Sequence, residues 1–168
     1  MKLTSAEAAK LLRRLNDERD SLVLLENRSA TFVAAIQEDL ESVRPAYDYE
    51  QTQKDIAAKN EQIRKVKHAI NVFNTTTEVE GTGMTIDEVL VYLSQLTAAR
   101  SRYDQMRARL PKERINNFGR GSQIIEYTYA NYDVEKAAED YSRISDEQAK
   151  LQTALDVTNN TKTMEIVL

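Results

Sequence analysis

A run of arginines in the second half of the chain is the clearest candidate for chemistry. The residues from Arg100 to Arg120 are strongly basic, although the whole chain carries a net charge of −4. The planar Arg side chain binds phosphate or carboxylate through two parallel hydrogen bonds, and a Tyr ring stacks on a base. The pattern predicts a site for a nucleotide-like or other small anion, lined by Arg109, Lys112, Arg114, Arg120, Tyr127, Tyr129 and Asn131.

The basic run has a second interpretation that the sequence leaves open. Charged residues on a helix usually form a solvated face and pair with acidic residues of neighbouring helices. In that case the arginines stabilise the fold and bind no ligand.

Two Asn-x-Thr segments form the next candidate. Asn74 and Thr76 occupy one segment, and Asn159 and Thr161 occupy the other. Each follows the predicted end of a helix, where unpaired carbonyl groups need hydrogen-bond donors. The segments are either helix-end caps or two polar patches that extend the ligand site.

Other site chemistries find little support. The chain has no cysteine, which excludes disulfides, thiolate catalysis and cysteine zinc sites, and it has a single histidine, His68. No nucleophile or phosphate-loop motif is present. We therefore expect no catalytic residues, no metal site and no cofactor.

Long helices must position these residues in the first half of the chain. A capping box at Thr4 and Glu7 begins a helix that apolar spacing extends to about Ser42. Asp48 caps a second helix, whose apolar residues recur every seven positions as in coiled-coil hairpins. The Thr-rich stretch at 75–79 predicts a short strand.

The second half repeats this order with an insertion. A capping box at Thr85 and Glu88 begins the third helix, and Asp133 caps the last one. Between them, residues 112–130 predict a β-hairpin around a Gly-Arg-Gly turn. A terminal strand is expected at 162–168. The predicted fold is mainly α, a four-helix antiparallel bundle in a single domain with a small β-sheet.

The two halves also match residue by residue. An offset of 85 residues aligns nine identical pairs, from the helix start to the Asn-x-Thr end: Tyr47/Tyr132, Asp48/Asp133, Glu50/Glu135, Asp55/Asp140, Lys65/Lys150, Ala69/Ala154, Val72/Val157, Asn74/Asn159 and Thr76/Thr161. This favours an internal duplication with repeats at about 1–84 and 85–168. Shared heptads alone are the alternative, since amphipathic helices align easily.

Three stretches resemble a known family. "MKLTSAEAAKLLRRLNDER", "AINVFNTTTEV" with "MTIDEVLVYLSQL", and "LQTALDVTNNTKTMEI" are similar to the septicolysin-like family of small helical bacterial proteins. The resemblance implies a helix-rich protein of bacterial or phage origin. The family name also suggests a cytolysin, which stays a distant alternative because no apolar membrane-inserting segment is present.

These observations favour a non-enzymatic protein that binds or sequesters a nucleotide-like anion. The alternative is an interaction module whose helical hairpins dock another protein. We expect a cytoplasmic location, no membrane contact, and no nucleic-acid partner because the chain is acidic. The long apolar stripe around Phe32, Val33 and Ile36 needs a partner, either the inserted hairpin or another subunit, and we expect a homo-oligomer.

Overall fold

The computed structural model describes residues 1–115 and 125–168, and it is mainly helical. In chain order the elements are β1 (Lys2–Thr4), α1 (Ser5–Ser29), α2 (Leu40–Val43), α3 (Tyr49–Thr76), β2 (Glu78–Val79), β3 (Met84–Thr85), α4 (Ile86–Arg107), β4 (Lys112–Arg114), β5 (Tyr127–Tyr129), α5 (Val134–Thr161) and β6 (Thr163–Glu165). The chain divides into two compact units. Unit 1 comprises Met1–Thr77 and Thr158–Leu168, and unit 2 comprises Glu78–Val157.

The predicted helix starts are confirmed. In α1 the Thr4 hydroxyl accepts from the Glu7 amide while the Glu7 carboxylate accepts from the Thr4 amide, and α4 repeats this capping box at Thr85 and Glu88. The Asp133 carboxylate accepts from the first amides of α5, as predicted. These side chains satisfy amides that have no partner inside a helix.

Unit 1 is held together by the packing of α1 against α3. Leu11 and Leu15 on α1 are buried, as are Ile63 and Val66 on α3. At the edge of this core the Lys59 ammonium lies 2.6 Å from the carboxylate of Glu18.

The strands of unit 1 bring its two terminal segments together. β1 pairs antiparallel with β6, so that Leu3 lies opposite Met164 and Thr4 opposite Thr163. The terminal ammonium of Met1 donates to the Ile166 carbonyl at 2.7 Å.

In unit 2, α4 and α5 are joined by buried apolar residues and by two polar bridges. Leu93 and Leu96 of α4 are buried, as is Ile144 of α5. The Tyr92 hydroxyl donates to the Glu147 carboxylate at 2.5 Å. The Gln148 amide donates to the Thr97 hydroxyl at 3.0 Å.

A tight turn links β2 to β3 in unit 2. Val79 lies opposite Met84 and Glu78 opposite Thr85. Gly81 and Gly83 have φ angles of 77° and 68°, in the left-handed region that residues with a side chain rarely adopt. The turn therefore requires glycine at both positions.

The first helix is shorter than predicted, so the expectation that it runs to about Ser42 is wrong. α1 ends at Ser29, and only the short α2 forms before Pro45. The apolar stripe has no core to pack on at Val33 and Ile36, which are 95% and 105% exposed. A helix gains most of its stability from packing an apolar face, so the weak helix formers before Ser29 end it.

The strand predicted at 75–79 is also shorter in the structure. Thr75 and Thr76 belong to α3, and their hydroxyls donate to the Val72 carbonyl. Threonine hydroxyls commonly bond back to carbonyls one helical turn earlier, so these residues stay helical despite their strand propensity. Only Glu78 and Val79 pair as a strand.

The other two strand predictions are confirmed in shorter form. Within 112–130 an antiparallel hairpin forms between β4 and β5, and within 162–168 the strand is β6. The predicted Gly-Arg-Gly turn lies outside the described residues.

Candidate cation–aromatic surface and a second pocket

The basic run divides into arginines that contact residues of α4 and α5 and basic residues that lie on the β4–β5 hairpin. Arg107 pairs with Asp104 at 2.8 Å, and its guanidinium lies 3.8 Å from the centre of the Tyr141 ring. Arg102 lies over the ring of its neighbour Tyr103. These two arginines fit the interpretation as a stabilising helix face.

Lys112 and Arg114 of the run lie on the β4–β5 hairpin. Lys112 is opposite Tyr129, and Arg114 is opposite Tyr127. Because side chains alternate along a strand and opposite residues share a face, these four project from one face of the hairpin. We call this face the cation–aromatic surface.

The aromatic rings of this surface surround a cation. The Lys112 ammonium lies 4.1 Å from the centre of the Tyr127 ring and 5.5 Å from that of Tyr129. The two rings are 6.3 Å apart and tilted by 51°. Tyr127 and Tyr129 are 40% and 61% exposed, so the rings and the ammonium are open to a ligand.

The end of α4 positions this hairpin. The Tyr132 hydroxyl donates to the Met106 carbonyl at 2.8 Å, which satisfies a carbonyl at the end of the helix. The Ala130 amide donates to the Pro111 carbonyl at 3.1 Å and closes the base of the hairpin. Two other predicted site residues, Arg109 and Asn131, flank this base and are exposed.

The remaining predicted site residues fall into two groups. Arg120 lies outside the described residues. Asn74, Thr76, Asn159 and Thr161 all belong to unit 1, whereas the hairpin belongs to unit 2. Thr76 and Thr161 line a groove of about 710 Å³ together with His68. The side-chain oxygen of Asn159, also in unit 1, is buried without a hydrogen bond.

A pocket in unit 2 was not anticipated from the sequence. It has a volume of about 590 Å³ and lies between the β2–β3 turn, α4 and the middle of α5. Its lining includes the apolar side chains of Met84 and Leu151 and the charged side chains of Arg143, Glu147 and Lys150.

Hydrogen bonds and ion pairs connect the charged side chains of the pocket. The Tyr92 hydroxyl donates to Glu147, and this bond, followed by partial burial, raises the pKa of Tyr92 above its usual value of 10.0. Arg143 donates to Asp140 at 3.1 Å, which raises the pKa of its guanidinium. The Arg143 guanidinium also lies 3.9 Å from Glu147.

A sequence signal for this pocket exists in the internal match. The capping boxes at Thr4 and Thr85 align at an offset of 81 residues, and at this offset Tyr92 corresponds to Leu11. At the offset of 85 that aligns the second helices of the two halves, Glu147 corresponds to Gln62. The second half thus has a tyrosine and a glutamate on facing helices, whereas the first half has no acidic or phenolic group at the matching positions. This contrast between halves was the observation that could have located the pocket.

Comparison with known proteins gives the fold and no activity. No family model matches the chain, and no curated protein matches it. The structure resembles the crystal structure of a functionally unknown conserved protein from Corynebacterium diphtheriae, with a TM-score of 0.62 and 18% sequence identity. The match covers 98% of this chain and 100% of that one, so the whole fold recurs in a solved protein.

Two further findings limit the chemistry of the described residues. Within 1–115 and 125–168, no group of three histidine, aspartate or glutamate side chains is arranged to hold a metal ion. Among the helices that the structure describes, none is long and apolar enough to cross a bilayer.

Proposed function

We propose that this protein is a non-enzymatic binding protein whose cation–aromatic surface binds a nucleotide-like anion. The observation that carries the proposal is the exposed Lys112 ammonium over the rings of Tyr127 and Tyr129. The proposal uses the two parts of a nucleotide separately: the rings stack on the base, and the basic side chains bind the phosphates.

The surroundings of the surface support an anionic ligand. Arg114 lies on the same face two residue pairs along the hairpin from Lys112, and Arg109 lies before its base. Neither arginine forms an ion pair with a described residue, unlike Arg107. A ligand phosphate therefore does not have to displace an existing carboxylate.

Calorimetric titration with ATP tests the proposal. Tyr129→Ala removes one ring, and we expect the dissociation constant for ATP to rise by about 5- to 150-fold, since stacking contributes about 1–3 kcal/mol per base. Lys112→Met removes the positive charge and should weaken the binding of both ATP and inorganic triphosphate. Tyr129→Ala leaves triphosphate binding unchanged because triphosphate has no base.

Tyr49→Ala is the matched control because Tyr49 is an exposed tyrosine in unit 1. ATP binding by this variant should equal that of the wild type. Absence of heat with ATP at millimolar concentration contradicts the proposal, as does unchanged ATP affinity in Tyr129→Ala.

A second candidate function is protein–protein docking, and the exposed apolar residues of unit 1 favour it. Leu24, Leu25, Val33, Ile36 and Leu40 are all exposed in one stretch of chain. Exposed apolar stretches of this kind are typical of protein interfaces. We propose that the stretch forms a contact between copies of this chain.

Sedimentation velocity tests this second candidate. Ile36→Asp places a charge in the apolar stretch and should shift an oligomer to monomer, whereas Val157→Asp, at an exposed apolar residue of unit 2, should not. A wild-type protein that is monomeric at high micromolar concentration contradicts it.

We also propose that the chain arose by duplication of a helix-pair unit. The offsets that align the sequence halves pair Leu3 with Met84 and Met164 with Val79. Leu3 lies opposite Met164 in one small sheet, and Met84 lies opposite Val79 in the other. Shared heptads do not account for equal registers in two sheets. Membership of the septicolysin-like family stays a prediction.

A further inference from the structure

The pocket of unit 2 has the size and the mixed lining of a small-molecule site. Its volume of about 590 Å³ lies within the range of about 300–1,000 Å³ that ligand sites occupy. Met84, Leu151 and Ala154 contribute apolar surface to the lining. Such sites combine an apolar wall with a few polar groups that orient the ligand.

The charged residues of the pocket fall into two groups. Glu147 is already engaged by the Tyr92 hydroxyl and faces the Arg143 guanidinium. In contrast, Glu80, Asp146 and Lys150 line the pocket without an ion pair to any residue of 1–115 or 125–168. The pocket therefore offers one ammonium and two carboxylates to a ligand.

The matching positions of unit 1 show that this is not a general property of the helix pair. Asp146 and Lys150 correspond to Glu61 and Lys65, which are also four residues apart. Glu61 and Lys65 form an ion pair at 2.9 Å, and this bond lowers the pKa of Glu61. Unit 1 thus neutralises on its own surface the pair of charges that unit 2 leaves available.

The polar bridge across the pocket is also specific to unit 2. Tyr92 and Glu147 correspond to Leu11 and Gln62, and the side-chain oxygen of Gln62 is buried without a hydrogen bond. A tyrosine hydroxyl and a carboxylate that bond across two helices hold the pocket walls in a fixed geometry, which lowers the entropic cost of binding.

We infer that this pocket binds a small zwitterion with an apolar side chain, of the class of the aliphatic and thioether amino acids. Lys150 binds the carboxylate of the ligand, and Glu80 and Asp146 bind its ammonium group. The apolar part of the ligand packs on Met84 and Leu151. This site is separate from the cation–aromatic surface and does not depend on it.

Calorimetric titration with L-methionine tests the inference. N-acetyl-L-methionine lacks the ammonium charge and L-methioninamide lacks the carboxylate, so each should bind at least about 10-fold more weakly, the loss of one charged hydrogen bond. Lys150→Met should weaken L-methionine binding to the same extent. Lys65→Met, at the matching position of unit 1, should bind as the wild type does.

The outcomes that overturn the inference are distinct. Absence of L-methionine binding at millimolar concentration removes the site, and equal affinities of Lys150→Met and Lys65→Met place the binding elsewhere. Binding of either blocked derivative as tightly as L-methionine contradicts the zwitterion class. Circular dichroism checks that both variants fold, and because Lys150 and Lys65 are exposed, neither change disturbs the core. Tyr129→Ala leaves L-methionine binding unchanged, which separates this test from that of the nucleotide proposal.

Discussion

Unit 1 and unit 2 each pack two helices together, but different side chains form the polar contacts between the helices. Where unit 1 joins its helices by the ion pair of Lys59 with Glu18, the matching positions of unit 2 are Ile144 and Ala99. Where unit 2 has the polar bridge of Tyr92 with Glu147, unit 1 has Leu11 and Gln62. These two interhelical polar contacts thus lie at different levels of the two helix pairs.

This difference supports our proposal that ligands bind to unit 2. In unit 1 the polar contact joins Lys59 to Glu18 at the edge of an apolar core, and it serves the packing of α1 on α3. In unit 2 the polar contact lines a pocket, and the chain adds an exposed basic hairpin that unit 1 lacks. Unit 2 is therefore the half in which we place binding.

The largest expected effect is the difference in stability loss between a substitution at an apolar core residue and one at an ion pair. Ile144→Ala removes a buried side chain and should lower the free energy of unfolding by about 2–4 kcal/mol. Lys59→Ala at the matching position should have a several-fold smaller effect, because partly exposed ion pairs contribute little. Urea denaturation measures both, and equal losses would contradict the comparison.

A smaller effect of opposite sign is expected at the next matched pair. Gln62→Met replaces a buried amide oxygen that has no hydrogen bond, and should raise the free energy of unfolding by about 1 kcal/mol. Glu147→Met leaves the Tyr92 hydroxyl without its acceptor and should lower it. If both substitutions change the free energy of unfolding in the same direction, the proposed contrast between an unbonded oxygen at Gln62 and a hydrogen-bonded carboxylate at Glu147 is wrong.

The ion pair of unit 1 predicts a pH dependence of stability. The hydrogen bond from Lys59 holds the pKa of Glu18 below its usual value of 4.5. A carboxyl group with a lowered pKa in the folded state contributes stability that is present above pH 4.5 and is lost as pH falls through the folded pKa. Glu18→Gln should therefore be less stable than the wild type at pH 7 and closer to it at pH 3. Thermal unfolding at both pH values measures this, and a constant difference would contradict it.

The smallest expected effect is spectroscopic and belongs to unit 2. The hydrogen bond to Glu147 raises the pKa of Tyr92, so Tyr92 should ionise above pH 10. In Glu147→Gln the acceptor is neutral and the Tyr92 pKa should fall. Ultraviolet titration of tyrosine absorbance, with Tyr92→Phe to assign the change, would contradict the bridge if Glu147→Gln titrates as the wild type does.

Local patterns predicted the helix starts and the hairpin, because their causes lie within a few residues of each other. The capping boxes at Thr4 and Thr85 and the alternation around Tyr127 act over short distances and are confirmed. The end of α1 was mispredicted because it depends on whether Val33 and Ile36 find a core. Periodicity shows an apolar stripe but does not show what covers it.

The candidate sites were predictable only in part for the same reason. The cation–aromatic surface follows from strand alternation, and the sequence places Lys112 and Tyr129 correctly on one hairpin. The sequence does not show that Arg107 turns onto Tyr141, nor that Asn74 and Asn159 belong to a different unit. The pocket required knowing that Tyr92 and Glu147 meet across two helices.

The most direct test is an NMR titration of the ¹⁵N-labelled protein with ATP. It measures the change in amide chemical shift at each residue. We expect the largest shifts at the hairpin of unit 2, including Lys112 and Tyr129, and no shift at Thr76 or Thr161 of unit 1. Shifts confined to unit 1, or none at millimolar ATP, would contradict the assignment of binding to unit 2.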